Sequence, residues 1–332
     1  MNNESTPSAN ALPITLERLL DDDWAEVALR YDVSKGLTST PKSLPPKWFY
    51  DKKGSELFEQ ITRLVEYYPT EAEREILLRH AADIVELSKA DHVVELGAGN
   101  SDKTRAVLDA FAAAGHLDHI SVLDVSGDFL ERSAQDLAIA YPSAQVHAVV
   151  GDFEHHLASI PSDGRRVVLF LGGTIGNFEP ADRKDLLGAV ADMLQPGDAF
   201  LLGTDLIKEQ SRLELAYDDP HGVTAAFNKN MLEVLNRELD ANFELEQFDH
   251  VARWDPIYEW VDIGVRSKID QVVRVEALDL DVAFERGEYM RTEVSSKFSP
   301  EGIARELSDA GLELRQLWTD ARGDFAVTLS VH

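Results

Sequence analysis

VVELGAGNSDKTR, residues 93 to 105, is the stretch whose reading decides the fold. An apolar run ends in an acidic residue and two glycines before a polar helix start, the pattern of a strand, a tight turn and a helix N-terminus. Gly97 and Gly99 let backbone approach a ligand where a side chain would collide, and the free N–H groups of the next helix favour a carboxylate or phosphate. A dinucleotide fingerprint needs a third glycine at 102, where this chain has Asp102. S-adenosylmethionine, whose amino acid tail replaces the pyrophosphate, fits better. A plain structural strand-to-helix turn is the competing reading.

Around this turn the pattern alternates: helix 70–88, strand 92–96, helix 102–113, strand 119–124, helix 127–140, strands 145–149 and 166–171, helix 181–194, strand 198–204. Such alternation predicts an α/β fold with a parallel sheet covered on both faces. Residues 208–240 read as helical, and 243–298 carry alternating runs such as VVRVEALDLDV that suggest a separate antiparallel sheet. A helix at 299–311 leads into a terminal hairpin turning at Asp320 to Gly323. A final hairpin on five alternating strands resembles the Rossmann-like seven-stranded methyltransferase sheet, here with a second α+β substrate-binding domain. The expected division is a disordered tail at 1–12, a substrate-binding domain of 13–72 and 208–297, and a cofactor-binding domain of 73–207 and 298–332.

Upstream, 14–31 reads as an amphipathic helix with Leu16, Leu19, Leu20, Trp24, Val27 and Leu29 on its apolar positions. Pro41, Pro45 and Pro46 then fix an extended path that delivers Trp48, Phe49 and Tyr50 together, which from spacing alone reads first as an aromatic anchor pinning a loop.

The chain of 332 residues is 44% hydrophobic, enough to fill a real core. Its net charge of −28 would repel a phosphate backbone, so nucleic acid is not expected as a partner. No apolar run is long enough to span a bilayer and the N-terminus lacks the features of a secretion signal; a cytoplasmic protein with no membrane partner, acting as a monomer on a small molecule, is expected. The absence of cysteine excludes zinc–thiolate sites, thiol nucleophiles and a cysteine-held iron–sulfur cluster, so any methyl transfer is polar. No metal is expected: the pairs His155–His156 and His116–His119 lack further ligands at recognisable spacing and read as surface or core residues.

Ligands of open α/β sheets bind beyond the carboxyl ends of the strands. Three such ends carry chemistry in order: Glu95, Gly97 and Gly99; then Asp124; then Gly151, Asp152 and Phe153. A carboxylate 27 residues past Gly97 suits ribose hydroxyls, and an acid followed by an aromatic suits an adenine's amino edge and face. Singly, Asp124 also reads as a helix cap and Phe153 as core; jointly the three point to a nucleoside.

In RTEVSSKF, Glu293 and Ser295 share one face of a strand, about 6 to 7 Å apart, a spacing that suits the two nitrogens of one imidazole. A strand with a wet outer face shows the same alternation. In VVLFLGGTIGNF a buried strand runs into a glycine turn bearing Asn177, whose amide both donates and accepts and so can hold an amino acid's carboxylate and amine together. Asn177 as a cap for the helix at 181–194 is the alternative. Tyr67 and Tyr217 add hydroxyls, or half-buried packing.

The segments TPKSLPPKWFYD, ITRLVEYYPT, VVELGAGNSDKTR, FLGGTIGNF, LLGTDL, VTAAFN and TEVSSKF, in this order and spacing, resemble the histidine-specific Nα-methyltransferases of ergothioneine biosynthesis, over nearly everything from about residue 30 onward. That resemblance implies transfer of three methyl groups from S-adenosylmethionine to the α-amine of L-histidine, giving the betaine hercynine. It implies donor contacts at Tyr50, Gly97, Lys103, Asp124, Asp152 and Phe153. It assigns Asn177 and Tyr217 to the substrate carboxylate, Tyr67, Gly172 and Asn177 to the amine, Glu293 and Ser295 to the imidazole, and Phe58 to packing. Tyr67 and Asn177 stand as the catalytic pair, with Tyr67 or a water taking the proton. The chain departs from the family at Ile263, where a methionine lies beside the imidazole. The rival readings are a methyltransferase for another amino acid such as tryptophan, a nicotinamide-dependent oxidoreductase, which Asp102 disfavours, and a non-catalytic binding protein.

Overall fold

The computed structural model describes residues 12–97, 102–153 and 155–332. Its strands are β1 (Ile14–Arg18), β2 (Lys42–Ser43), β3 (His92–Leu96), β4 (His119–Asp124), β5 (Gln145–Val150), β6 (Arg166–Phe170), β7 (Ala199–Asp205), β8 (Phe248–Asp255), β9 (Trp260–Ser267), β10 (Gln271–Val275), β11 (Leu280–Phe284), β12 (Tyr289–Ser296), β13 (Glu313–Thr319) and β14 (Phe325–Val331). Its helices are α1 (Trp24–Thr38), α2 (Lys52–Ile61), α3 (Pro69–Ser88), α4 (Asp102–Ala114), α5 (Gly127–Ala140), α6 (Pro180–Met193), α7 (Gln210–Tyr217), α8 (Val223–Glu238) and α9 (Pro300–Asp309).

The large sheet runs β1-β5-β4-β3-β6-β7-β14-β13, parallel as far as β7 and antiparallel across the terminal hairpin. Every residue of β3, β6 and β7 is buried, which is why these strands read as continuous apolar runs. Alternate side chains serve opposite faces: Val93, Val167 and Leu201 enter one core, Val94, Val168 and Leu202 the other. The fold is the expected α/β architecture, its seven-stranded sheet enlarged by one strand. Residues 14–18 correct the helix expected at 14–31: they form β1, paired in parallel with β5, and the helix starts only at Trp24. This edge strand moves from the expected substrate domain into the large sheet.

A second sheet, β2-β12-β9-β8, packs with α2 and α8 around a core that includes Phe49, Phe227, Met231, Leu235, Phe248 and Met290; β10 and β11 form a separate hairpin. The two sheets are sewn together where β7 and β12 end. Phe298 N–H donates to the Asp205 carbonyl at 2.8 Å and Ile207 N–H to the Phe298 carbonyl at 3.0 Å. The proline-rich approach anchors its loop through two of its aromatics rather than delivering all three together. Trp48 donates its indole N–H to Asp32 at 3.0 Å, Phe49 is buried in the second core, and Tyr50 stays half exposed. Among the described residues no helix is long and apolar enough to cross a membrane.

Candidate active site

Three strand ends of the large sheet converge. Gly97 N–H donates to the Leu123 carbonyl at 2.9 Å and Gly151 N–H to the Asp124 carbonyl at 3.0 Å, tying the ends of β3, β4 and β5 together. Gly97 has φ +78°, and a Cβ there would stand 3.3 Å from Phe153 Cζ, so both conformation and space favour glycine. The Asp124 carboxylate accepts Ser126 N–H at 2.8 Å, which fixes it at the head of α5; burial nevertheless raises its pKa. That bond closes a turn ahead of the helix rather than a cap: the N-cap of α5 is Ser126, and its side chain makes no capping bond. Asp152 accepts both the backbone N–H and the ring of His155, at 2.8 and 2.9 Å, and its own N–H donates to His156 Nδ1 at 3.1 Å. The two histidines that read as bystanders brace this acid. Phe153 lies edge-on to Phe170 with centroids 5.5 Å apart. Lys103 sits in the first turn of α4 with its side chain outside the described part, and Gly99 lies outside the described residues. A glycine hollow flanked by two carboxylates and a phenyl face matches the chemistry of an adenosyl group.

The second constellation surrounds a cavity of about 40 Å³, room for a few waters, lined by Tyr50, Phe58, Tyr67, Tyr217, Ile263 and Glu293 together with Phe49, Ile61, Thr224, Phe227, Asn228 and His250. Phe58 meets Tyr67 and Tyr50 edge-on, and Tyr67 meets Tyr217 likewise, at centroid distances of 5.7 to 6.2 Å. Glu293 pairs across the sheet with Ile263, which places that departure from the family in the cavity wall.

Asn177 reaches Glu293 because of a glycine. The turn at Thr174–Asn177 abuts β12 so closely that a Cβ on Gly176 would stand 2.9 Å from the Ser296 carbonyl oxygen. The Asn177 side chain hydrogen-bonds Glu293; burial pushes the Glu293 carboxyl up to about 7, against the pull of Lys297 and Asn177. The Gly172 N–H is used by the buried Glu73 carboxylate at 2.7 Å, leaving the Gly172 carbonyl as the group it can offer to an amine.

Ser295 and Tyr217, expected to serve different ends of a ligand, are directly bonded, hydroxyl to hydroxyl, at 2.8 Å. Beneath them lies a residue the sequence reading passed over. Lys297, with a fully buried side chain, donates to Ser295 Oγ at 2.7 Å, Tyr217 Oη at 2.8 Å and Asp205 at 2.8 Å. Burial alone would lower its pKa, but Asp205 and Tyr217 outweigh that and hold it above the ordinary lysine value. Asp205 also accepts Tyr68 Oη at 2.8 Å and Lys208 Nζ at 2.6 Å. The end of α7 is fixed by His250, whose Nε2 donates to the Tyr217 carbonyl at 2.7 Å while its Nδ1 accepts from Asn228 at 2.8 Å. A lone lysine closing a strand and a histidine in an alternating run carry no sequence signal of this kind; only the spatial juxtaposition does. Tyr50, expected beside the donor, packs against Phe58 and Phe227 in the wall of this second cavity.

A family model described as histidine-specific, S-adenosylmethionine-dependent methyltransferase matches residues 29–332. A histidine N-alpha-methyltransferase of Mycolicibacterium smegmatis is 52% identical over 320 residues, covering 96% of this chain and 100% of that protein. One from Mycobacterium tuberculosis is 50% identical over 317 residues, covering 96% and 99%. Ergothioneine biosynthesis protein 1 of Neurospora crassa is 29% identical over 310 residues, covering 90% of this chain and 35% of that protein.

Proposed function

The chain belongs to the histidine-specific, S-adenosylmethionine-dependent methyltransferases, and from that premise we propose how its cleft carries the reaction. The protein is an enzyme that methylates the α-amine of histidine, a step of ergothioneine biosynthesis. We assign the donor to the part built from β1, 73–207 and 298–332, and histidine to the part built from the rest of 13–72 and 208–297. Within the first, Gly97, Asp124, Asp152 and Phe153 hold the adenosyl group, with Lys103 on the methionine carboxylate and Tyr50 closing over from the facing wall. Within the second, Glu293 and Ser295 take the imidazole, Asn177 and Tyr217 the carboxylate, Tyr67, Asn177 and the Gly172 carbonyl the amine, and Phe58 packs beside the ring. The observation that carries this reading is that Glu293, bonded by Asn177, and Tyr217, bonded to Ser295 and Lys297 behind it, line one aromatic cavity.

The sulfonium donor supplies an already activated methyl group and leaves as S-adenosylhomocysteine as the new C–N bond forms. The protein's task is to align the amine's lone pair with the breaking S–C bond, for which about 7 to 11 kcal/mol is available; a general base supplies only about 3 to 5 kcal/mol. Tyr67 is suited to orienting rather than deprotonating. Burial and its neighbours Tyr217, Tyr50 and Glu293 raise its pKa well above the ordinary phenol value, so the hydroxyl keeps its proton at neutral pH and the amine sheds its own to water. The weak neutral groups around the amine, the Asn177 amide, the Tyr67 hydroxyl and the Gly172 carbonyl, let it turn between three successive transfers to hercynine. We further take the enzyme to work as a cytoplasmic monomer that needs no metal. Mass spectrometry of the purified protein with S-adenosylmethionine and a panel of free amino acids tests the reading: histidine gains one, two and then three methyl groups, and preferential methylation of tryptophan would overturn it.

A further inference from the structure

The Tyr217–Ser295 pair cannot present its protons freely, because a buried ammonium constrains both oxygens. Lys297 has three protons and three acceptors within 2.8 Å: the Asp205 carboxylate, the Tyr217 oxygen and the Ser295 oxygen. Its side chain has no solvent exposure, so no water competes for them. Each hydroxyl oxygen therefore already accepts one bond from below. The two hydroxyls are also 2.8 Å from one another, so one of their two protons lies between them. One proton is left to offer a ligand.

We propose that Lys297 is a positioning residue for the substrate: by filling one acceptor site on each hydroxyl it directs the single outward proton of the pair to the substrate's carboxylate through Tyr217, and leaves Ser295 an acceptor for a ring N–H. This rests on the assignment of Tyr217 to the carboxylate and Ser295 to the imidazole. The direction follows from complementarity. A carboxylate only accepts, so the group facing it must donate, and an imidazole N–H only donates, so the group facing it must accept. With Ser295 donating to Tyr217 and Tyr217 donating outward, both demands are met by one arrangement; the reverse order would set a lone pair against the carboxylate. The ammonium also strengthens the outgoing bond, since donation into the phenol oxygen polarises its O–H, and it places positive charge one atom behind the point where the negative carboxylate docks. Asp205 anchors the ammonium from the seam between the two sheets.

The test compares Lys297→Met with the wild-type enzyme, measuring the Kd of S-adenosylhomocysteine, the KM and kcat for histidine, and the Ki of histamine, which lacks the carboxylate. The expected result is an unchanged S-adenosylhomocysteine Kd, a histidine KM raised about ten- to hundredfold with a much smaller change in kcat, and a loss for histamine at least tenfold smaller than for histidine. Equal losses for histidine and histamine would mean that Lys297 merely holds the fold of the cleft, and would overturn the proposal. Should Lys297→Met fail to bind S-adenosylhomocysteine, the double variant Asp205→Asn/Lys297→Met, which removes this ion pair and leaves Lys208 bonded to Tyr68 Oη, the Leu206 carbonyl and the new amide, is read by the same ratio. Tyr217→Phe separates this proposal from the reading beneath it. If Tyr217→Phe weakens histidine and Lys297→Met does not, the carboxylate assignment stands and the role of Lys297 falls. If Tyr217→Phe leaves the histidine KM unchanged, both fall together.

Discussion

The donor edge and the acceptor cavity that we propose are built on opposite plans. Gly97 follows β3, Asp124 ends β4, Asp152 and Phe153 come just after β5, and what brings them together is the parallel register of β3, β4 and β5. The acceptor cavity takes Phe58 from α2, Tyr217 from α7 and Glu293 from β12 into its wall, and side-chain hydrogen bonds from Asn177, Ser295 and Lys297 hold the polar pair from behind. One region gets its chemistry from backbone geometry, the other from polar side chains that satisfy one another. Perturbing a backbone position in the first and a polar group in the second should therefore give separable effects.

The largest expected separation is at Glu293. Glu293→Ala removes a charge-assisted hydrogen bond worth roughly 1.5 to 3 kcal/mol and should raise the histidine Kd about ten- to hundredfold, with S-adenosylhomocysteine binding unmoved, both read by calorimetry. Unchanged histidine affinity would remove Glu293 from the ring pocket.

A smaller effect in the other direction is expected at Gly97. Gly97→Ala places a Cβ at φ +78° and against Phe153, strain on the order of 1 kcal/mol, and should weaken S-adenosylhomocysteine roughly five- to tenfold while histidine binding holds. If histidine suffered more than the donor, the two-region picture would break.

The smallest effect is on stability. The Glu293 carboxyl titrates near 7 in the folded protein, above its ordinary 4.5, so the folded state holds that proton more tightly than the unfolded chain does. The sign follows: stability is lost as pH rises from about 4.5 to 7, and the full penalty stands above 7. Glu293→Gln removes it and should stabilise the unliganded protein at pH 8 by roughly 1 to 3 kcal/mol, with the advantage in melting temperature fading by pH 5. An equal advantage at both pH values would show that ionisation of Glu293 is not its source.

The contrast also explains what could be read from sequence. The convergence of these strand ends was legible because a strand, its turn and the next helix are contiguous, so each of three short segments carries its own part of the signal. The helices and strands from 70 to 205 were legible for the same reason. The edge strand β1 was not: Leu16, Leu19 and Leu20 fall at helical spacing, which runs on past the acids at 21–23 that mark the helix start before Trp24. In the acceptor cavity the residue types were visible at Glu293, Ser295 and Asn177. Their supports were not, because Lys297, Asp205 and His250 are scattered along the chain and gain meaning only when β7, β8 and β12 close on α7.

The main-chain bridge between Leu206 and Phe298 sets a limit on how repeated alkylation can proceed. Sliding one sheet along the other would break hydrogen bonds each worth about 0.5 to 1.5 kcal/mol and strip the buried ammonium of its counter-ion. On the assignment we propose, the frame is consequently a fixed jig: between strokes the workpiece swivels about its clamped ring and acid group, while the walls stay still.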